Sequence, residues 1–477
     1  MIMNEKEKKI GLWTLVMLVF LPSFGFTSMV KNVVAFGPAA IPSWLIAGVL
    51  FFLPMSIMMA ELASVNQNKD GGIYAWVECG LGPDWAFIST WSYYIANLFF
   101  LQMVCCELPN HVSWAFLGDT GFNDSNTKLL IWLGVLSAII LTFVATRNVN
   151  IISKIGDIGG KLLLISTALF IIFAILGVII GRIPSASEFT AETVIPKFDA
   201  DYFSTFAWII YAASGIELAG TYIPKIKDPE KTFPKGMVIA ITLIIGAFIL
   251  GSLAVCQLMP NEELRASGIQ NASVLVYRIL GDKWGIDGYM VVKIYAFIFV
   301  FSSIAKYIMF FESPIRAMFS EVPEGTFPKF ITKKREDGRL TNALWIQCAI
   351  LCVMILIPLF GVNGINNFFI LLQNMTALSV VVPYVILIAA YYCYRIKKGN
   401  TPFVFIKSKK MVTAVTIITS ILGIIGIVGA GLGEISAASG ASDAALRLTS
   451  IYGGPLALIA VGLLLRRATK SYYSKTK

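Results

Sequence analysis

Twelve stretches of this chain are apolar and long enough to cross about 30 Å of hydrocarbon. They cover approximately residues 11–36, 40–64, 85–110, 127–146, 155–181, 202–226, 236–259, 286–319, 341–361, 366–394, 411–432 and 450–467. In lipid every backbone N–H and C=O must find its partner within the protein. Only helices and closed barrels manage that. No stretch alternates with a period of two over ten residues, so a barrel is excluded. The expected fold is an all-α integral membrane protein with twelve transmembrane helices. Composition agrees: 57% of the 477 residues are hydrophobic and 14% are charged, with a mean hydropathy of +0.76. A soluble enzyme, a nucleic-acid-binding protein and a disordered chain all need more polar residues than this. The net charge of +10 then reads as basic cytoplasmic loops rather than as a nucleic-acid surface.

An even number of spans puts both termini on one side. Of the 38 lysines and arginines, 27 fall on the side of the termini and 7 on the other. Both termini are therefore expected in the cytoplasm of a multi-pass cell-membrane protein. The expected organisation is a cytoplasmic N-tail (1–10), a first repeat (11–181), a second repeat (202–394), two additional helices (411–467) and a cytoplasmic C-tail (468–477). The first apolar segment reads as a retained helix, not a cleaved signal. The basic 320–340 stretch reads as a positive-inside loop. The seven cysteines sit mostly in apolar runs and read as small packing residues. With His111 as the single histidine, no zinc-type spacing is possible, and no metal, cofactor or catalytic constellation is expected.

Two segments contain helix-breaking clusters. The first carries Pro22, Ser23, Phe24, Gly25, Phe26, Thr27 and Ser28; the sixth carries Tyr211, Ala212, Ala213, Ser214, Gly215, Ile216 and Glu217. They lie five segments apart. Repeats of segments 1–5 and 6–10 place them at equivalent positions, and an odd repeat length inverts the second copy. A broken helix exposes N–H groups at one new end and carbonyls at the other. The first attracts a carboxylate and the second an ammonium, so an amino-acid zwitterion suits both. A kink without any site is the competing reading.

Ionisable groups within the spans are costly and each needs a reason. Glu61, Glu107, Lys293 and Glu312 are expected near helix ends, where snorkelling or local pairs suffice. Glu217 follows the second break and is a candidate coupling acid, or else a structural carboxylate for the freed amides. Lys161 follows Gly156, Gly159 and Gly160, which allow close packing. Its ammonium is a candidate to stand in for a sodium ion on the carbonyls of the first segment, or else snorkels to the cytoplasm. Lys306, with Tyr307 beside it, is deep in the eighth segment. It is expected either to hold an anionic substrate side chain or to pair with Glu217. Lys31 lies about 9 Å beyond Gly25 along a helix, towards the external vestibule. Tyr211 is a possible lid.

These motifs resemble the amino acid–polyamine–organocation superfamily of transporters across roughly residues 10–395. The resemblance rests on Ser23-Phe24-Gly25-Phe26-Thr27 and on Ala60-Glu61-Leu62-Ala63 followed by Gly71-Gly72-Ile73-Tyr74-Ala75-Trp76. It rests also on Gly215-Ile216-Glu217-Leu218-Ala219 with Lys227-Asp228-Pro229, and on Arg316-Ala317-Met318-Phe319 with Gly325-Thr326-Phe327-Pro328-Lys329. Within that superfamily the chain is most similar to the glutamate/γ-aminobutyrate antiporter branch. The resemblance implies a leucine-transporter-type fold of two inverted five-helix repeats, with the first and sixth helices unwound in mid-membrane. It puts Tyr211 at the aromatic gate, Glu217 at the sixth-helix acid and Lys161 at the sodium-replacing lysine. Here Ser23 stands for the family's first glycine and Phe24 for a small residue, which narrows the backbone cradle.

The expected function is secondary active amino-acid transport, as a sodium-independent exchanger or a proton-coupled permease, with glutamate- or γ-aminobutyrate-like substrates. A polyamine or other amine exchanger of the same fold is the alternative. A membrane receptor that binds without transport, or a channel, is the alternative of another class. The substrate carboxylate is expected on the amides of Gly25–Ser28, and its amine on the carbonyls of Tyr211–Ser214. Protons and the lipid bilayer complete the expected partners, with no nucleic acid.

Overall fold

The computed structural model describes residues 10–475, apart from 67–68, 70–71, 123, 148, 213, 269–270, 321–325, 336–337, 361–364 and 437. The described residues are helical throughout and form no strand; a single parallel bridge joins Ile10 to Ile226. The chain opens with α1 (Leu12–Ser23) and α2 (Phe26–Phe36). A turn at Gly37 leads into α3 (Ala40–Ala47) and, through a wide turn at Gly48–Phe52, into α4 (Leu53–Val65). Then follow α5 (Ile73–Leu81), α6 (Pro83–Leu117), α7 (Thr127–Ala145), α8 (Val149–Ile179) and the short α9 (Ala191–Val194). The next helix, α10 (Ala200–Tyr211), stops at a turn and resumes as a tight 3₁₀ stretch, Ile216–Lys225. The remainder comprises α11 (Pro229–Leu258), α12 (Asn261–Ala266), α13 (Ala272–Trp284), α14 (Gly288–Ser320), α15 (Lys329–Thr332), α16 (Thr341–Leu356), α17 (Ile365–Lys397), α18 (Lys409–Ser436), α19 (Ala441–Leu448) and α20 (Gly454–Lys475).

Nine helical runs among the described residues are long and apolar enough to cross a membrane; α1 and α16 are apolar but shorter. The chain is therefore a multi-pass helical membrane protein. Lipid-facing helices and inner helices differ in composition. On α8 and α18 large apolar residues such as Ile165, Leu169, Ile172, Ile421 and Ile424 are exposed, as lipid contact requires. The 35-residue α6 is long enough but too polar to count as a candidate span. It buries Asn97, Gln102, Glu107, Asn110 and His111, because its neighbours are α5, α7, α14 and α17 rather than lipid.

That helix corrects one expectation. The apolar segment 85–110 places Glu107 near a helix end and His111 just beyond it. Instead α6 runs through Pro109 to Leu117, and both side chains are buried. Of the two expectations for Glu61, snorkelling or a local pair, the structure shows the pair. Glu61 pairs with Arg395, both fully buried, and accepts hydrogen bonds from Tyr391 Oη (2.9 Å) and from the amides of Phe405 (2.7 Å) and Ile406 (3.0 Å). This cluster ties α4 to the end of α17 and the loop that follows.

The glycines of α8 do what close packing predicts. The position that a side chain would occupy at Gly156 is filled by Leu18 of α1, at Gly160 by the Met17 carbonyl of α1, and at Gly159 by Ala305 of α14. The cysteines are free thiols, and Cys105, Cys106, Cys256 and Cys348 are buried.

Candidate functional site

The interruption between α1 and α2 begins with Pro22. Its missing N–H leaves the Leu18 carbonyl without the usual helical donor and weakens the last turn of α1. Phe24 N still closes α1 by donating to Phe20 O (2.8 Å), but Phe24 and Gly25 are then extended. The first intrahelical bond of α2 runs from Met29 N to Gly25 O (2.9 Å). The amides of Phe26, Thr27 and Ser28 thus have no helical acceptor and form a site suited to an anion.

These residues open onto a cavity. Its wall holds Gly25, Phe26, Thr27, Ser28 and Lys31 from the break, and Phe100, Met103, Val104, Glu107 and His111 from α6. Leu163 of α8 and Phe299, Ser302, Ser303 and Lys306 of α14 complete it. The space it encloses is about 60 Å³. Lys306 Nζ donates to the Phe24 carbonyl at 2.7 Å. The unwound backbone therefore meets an ammonium on its carbonyl side and leaves its amides to a ligand. Lys31 Nζ is 3.2 Å from Glu107 Oε1 in a buried ion pair. Lys31 also lines a larger cavity of about 720 Å³ bounded by Gly37, Tyr202, Trp208, Asn261 and Arg265. It stands between the two spaces.

The second break is organised differently. Gly215 has φ +105°, a conformation that disfavours any side chain, and a Cβ there would lie 2.9 Å from the Pro22 carbonyl carbon and 3.1 Å from Ser23 N. The two breaks are therefore in direct backbone contact. Ser214 N donates to Tyr211 O (2.8 Å). The Gly215 amide donates to both carboxylate oxygens of Glu217, at 3.1 and 3.0 Å, and Tyr384 Oη donates to Glu217 at 2.6 Å. Glu217 thus satisfies a freed amide and anchors the turn to α17.

Several expected site residues lie elsewhere. Of the described residues Tyr211, Ala212, Ser214 and Gly215, none lines the cavity; Ala213 lies outside the described residues. Tyr211 is buried behind Phe100, ring centroids 6.3 Å apart. Ser23 is buried, and Phe24 turns its ring onto Phe20 and Phe248, both at 5.0 Å, away from the cavity. Tyr307 is one position from Lys306 but faces α7, where its hydroxyl lies 3.0 Å from Thr142 Oγ1. Lys306 does not pair with Glu217; its partner is the Phe24 carbonyl. Nor does Lys161 reach that carbonyl. Its side chain is 54% exposed and bonds Asp157, one turn earlier on α8, at 2.6 Å. Gly160 occupies the α1-facing side of α8, which turns the next residue outward.

Glu107 and His111 were missed as site residues. The available signal was spacing: Phe100, Val104, Glu107 and His111 recur every three or four residues, on one face of α6.

Comparison with known proteins agrees with this architecture. Residues 10–442 match the family model described as amino acid permease. An aspartate/glutamate permease, AcaP, from Lactococcus lactis subsp. cremoris is 25% identical over 411 residues, covering 85% of this chain and 84% of that protein. The inner membrane transporter YjeM of Salmonella typhimurium is 26% identical, covering 85% and 86%. A glutamate/gamma-aminobutyrate antiporter of Lactococcus lactis subsp. lactis is 25% identical, covering 75% and 70%. An interrupted first helix opening on a polar cavity, within a helical membrane fold matched over most of its length, places this chain in the amino acid permease family.

Proposed function

We infer that the chain is a sodium-independent secondary transporter of a small amino acid. It works by alternating access on a twelve-helix frame of two inverted five-helix repeats in the cell membrane, with both termini cytoplasmic. The observation that carries this reading is the Lys306–Phe24 hydrogen bond beside the open amides of Phe26–Ser28. A tethered ammonium already occupies the carbonyl where a free cation would otherwise sit, so the substrate can bind without sodium. The substrate α-carboxylate rests on the α2 N-terminus, where backbone dipoles favour an anion.

The Lys31–Glu107 pair divides the substrate cavity from the larger one, and its rearrangement controls entry from that side. Glu217 holds the second break in the present conformation and is the acid through which protonation would loosen it. Transport requires only that substrate stabilise inward and outward states differently from the empty carrier. The names of the relatives, an aspartate/glutamate permease and a glutamate/gamma-aminobutyrate antiporter, support an amino acid rather than a polyamine as cargo. So does the wall, whose lysines outnumber its single carboxylate.

Purified protein in liposomes tests this. Uptake of labelled amino acids should saturate, survive replacement of sodium by choline, and respond to internal amino acid (exchange) or to an imposed pH gradient (proton coupling). Uptake that requires sodium, unsaturable current, or binding without flux would each overturn the reading.

A further inference from the structure

His111 is the only histidine in the chain, and its surroundings are unusual. It is 3% exposed, it lines the cavity, and neither Nδ1 nor Nε2 has a hydrogen-bond partner among the described residues. A buried polar atom is normally paired, and one left unpaired costs stability until something pairs it. Here the unpaired ring borders the space where a ligand would bind.

The charge of the wall restricts what that ligand is. Lys31, Lys306 and Glu107 are the charged side chains lining the cavity. Lys31 and Glu107 offset each other at 3.2 Å, and Lys306 donates to a neutral carbonyl, so no carboxylate of the wall offsets its ammonium. One positive charge is left over in a site of low dielectric, where it favours a ligand of net charge −1. An ordinary zwitterion carries no net charge. An acidic amino acid carries one negative charge, and it has a second carboxylate for a second donor. Both donors border one cavity, which Phe26, Thr27 and Ser28 of α2 and His111 of α6 line together.

We propose that His111 is the specificity-determining residue of this carrier, donating a ring N–H to the side-chain carboxylate of an acidic amino acid whose α-carboxylate rests on the α2 N-terminus. The proposal rests on the transporter reading above and adds to it the substrate class and the residue that selects it. A side-chain amide offers the ring only a neutral oxygen, a weaker partner than a carboxylate, and leaves the surplus charge uncompensated, so aspartate and glutamate are preferred to asparagine and glutamine.

The test is competition for uptake in proteoliposomes by these four amino acids, for wild type, His111→Gln and His111→Asn. Thermal stabilisation of each purified protein by the same four compounds is measured in parallel. Wild type should favour the acids. Both variants should raise the half-saturating concentration for the acids by about tenfold or more, the loss of one charge-assisted hydrogen bond, while that for the amides changes little. Equal shifts for acids and amides, or an unchanged acid preference, would overturn the assignment. Should His111→Gln not fold, His111→Asn and the stabilisation of wild type decide the matter. Wild type that binds amino acids but prefers amides sinks this proposal alone; wild type that binds and moves no amino acid sinks the transporter reading instead.

Discussion

The two breaks have similar sequences and opposite roles. Both combine small residues with a glycine inside an apolar segment. The first, at Phe24–Gly25, leaves its amides facing a cavity, and its Phe24 carbonyl is held by a lysine from another helix. The second, at Ser214–Gly215, faces protein. Glu217 and Tyr384 satisfy it, and its glycine presses against Pro22 and Ser23. A helix interruption in a membrane can be neutralised by ligand or by protein. In this molecule one break takes each course, and the second serves as the backing of the first.

Substitutions at Lys306, at the two glycines and at Lys161 test that contrast. The largest effect is expected from Lys306→Ala. It strips the Phe24 carbonyl of its charged donor, an interaction worth about 1.5–3 kcal/mol, and transport should fall by about ten- to a hundredfold in a protein that still inserts. Near-normal uptake in proteoliposomes would remove Lys306 from the mechanism. Next come the glycines. Gly215→Ala forces a side chain into a positive-φ site against backbone, and should lower stability by about 1–3 kcal/mol, read as melting temperature in detergent. Gly25→Ala has an ordinary φ of −120° and meets chiefly the Ser28 side chain. It should leave melting nearly unchanged and weaken substrate binding. If Gly25→Ala melts earlier than Gly215→Ala, the division of roles is wrong. The smallest effect is expected from Lys161→Ala. Its exposed pair with Asp157 contributes little, so uptake should stay within about twofold of wild type; a crippled variant would restore Lys161 as the lysine that replaces sodium.

Much of this was legible in the residues. Segment 286–319 closely matches α14 at Gly288–Ser320, and 366–394 matches α17 at Ile365–Lys397. Both breaks occur where Ser and Gly cluster, the first beside Pro22, and the α8 glycines pack closely on neighbouring helices as expected. What misled was local appearance. The apolar stretch ends near residue 110, yet α6 continues through Pro109 to Leu117. Lys161 looks like the better-placed cation because glycines precede it, but Gly160 faces α1 and so aims the following residue away from it.

The amino-acid sequence by itself determined that the backbone is helical, where it is interrupted, and that the freed peptide groups need partners. Hydrocarbon imposes those demands on each segment separately, so hydropathy and helix-breaking residues suffice to reveal them. Which partner each freed group receives was decided only by the packed fold. That choice depends on how the helices are rotated against one another, and brings Lys306 rather than Lys161 to Phe24, Glu217 to Gly215, and His111 to the cavity wall.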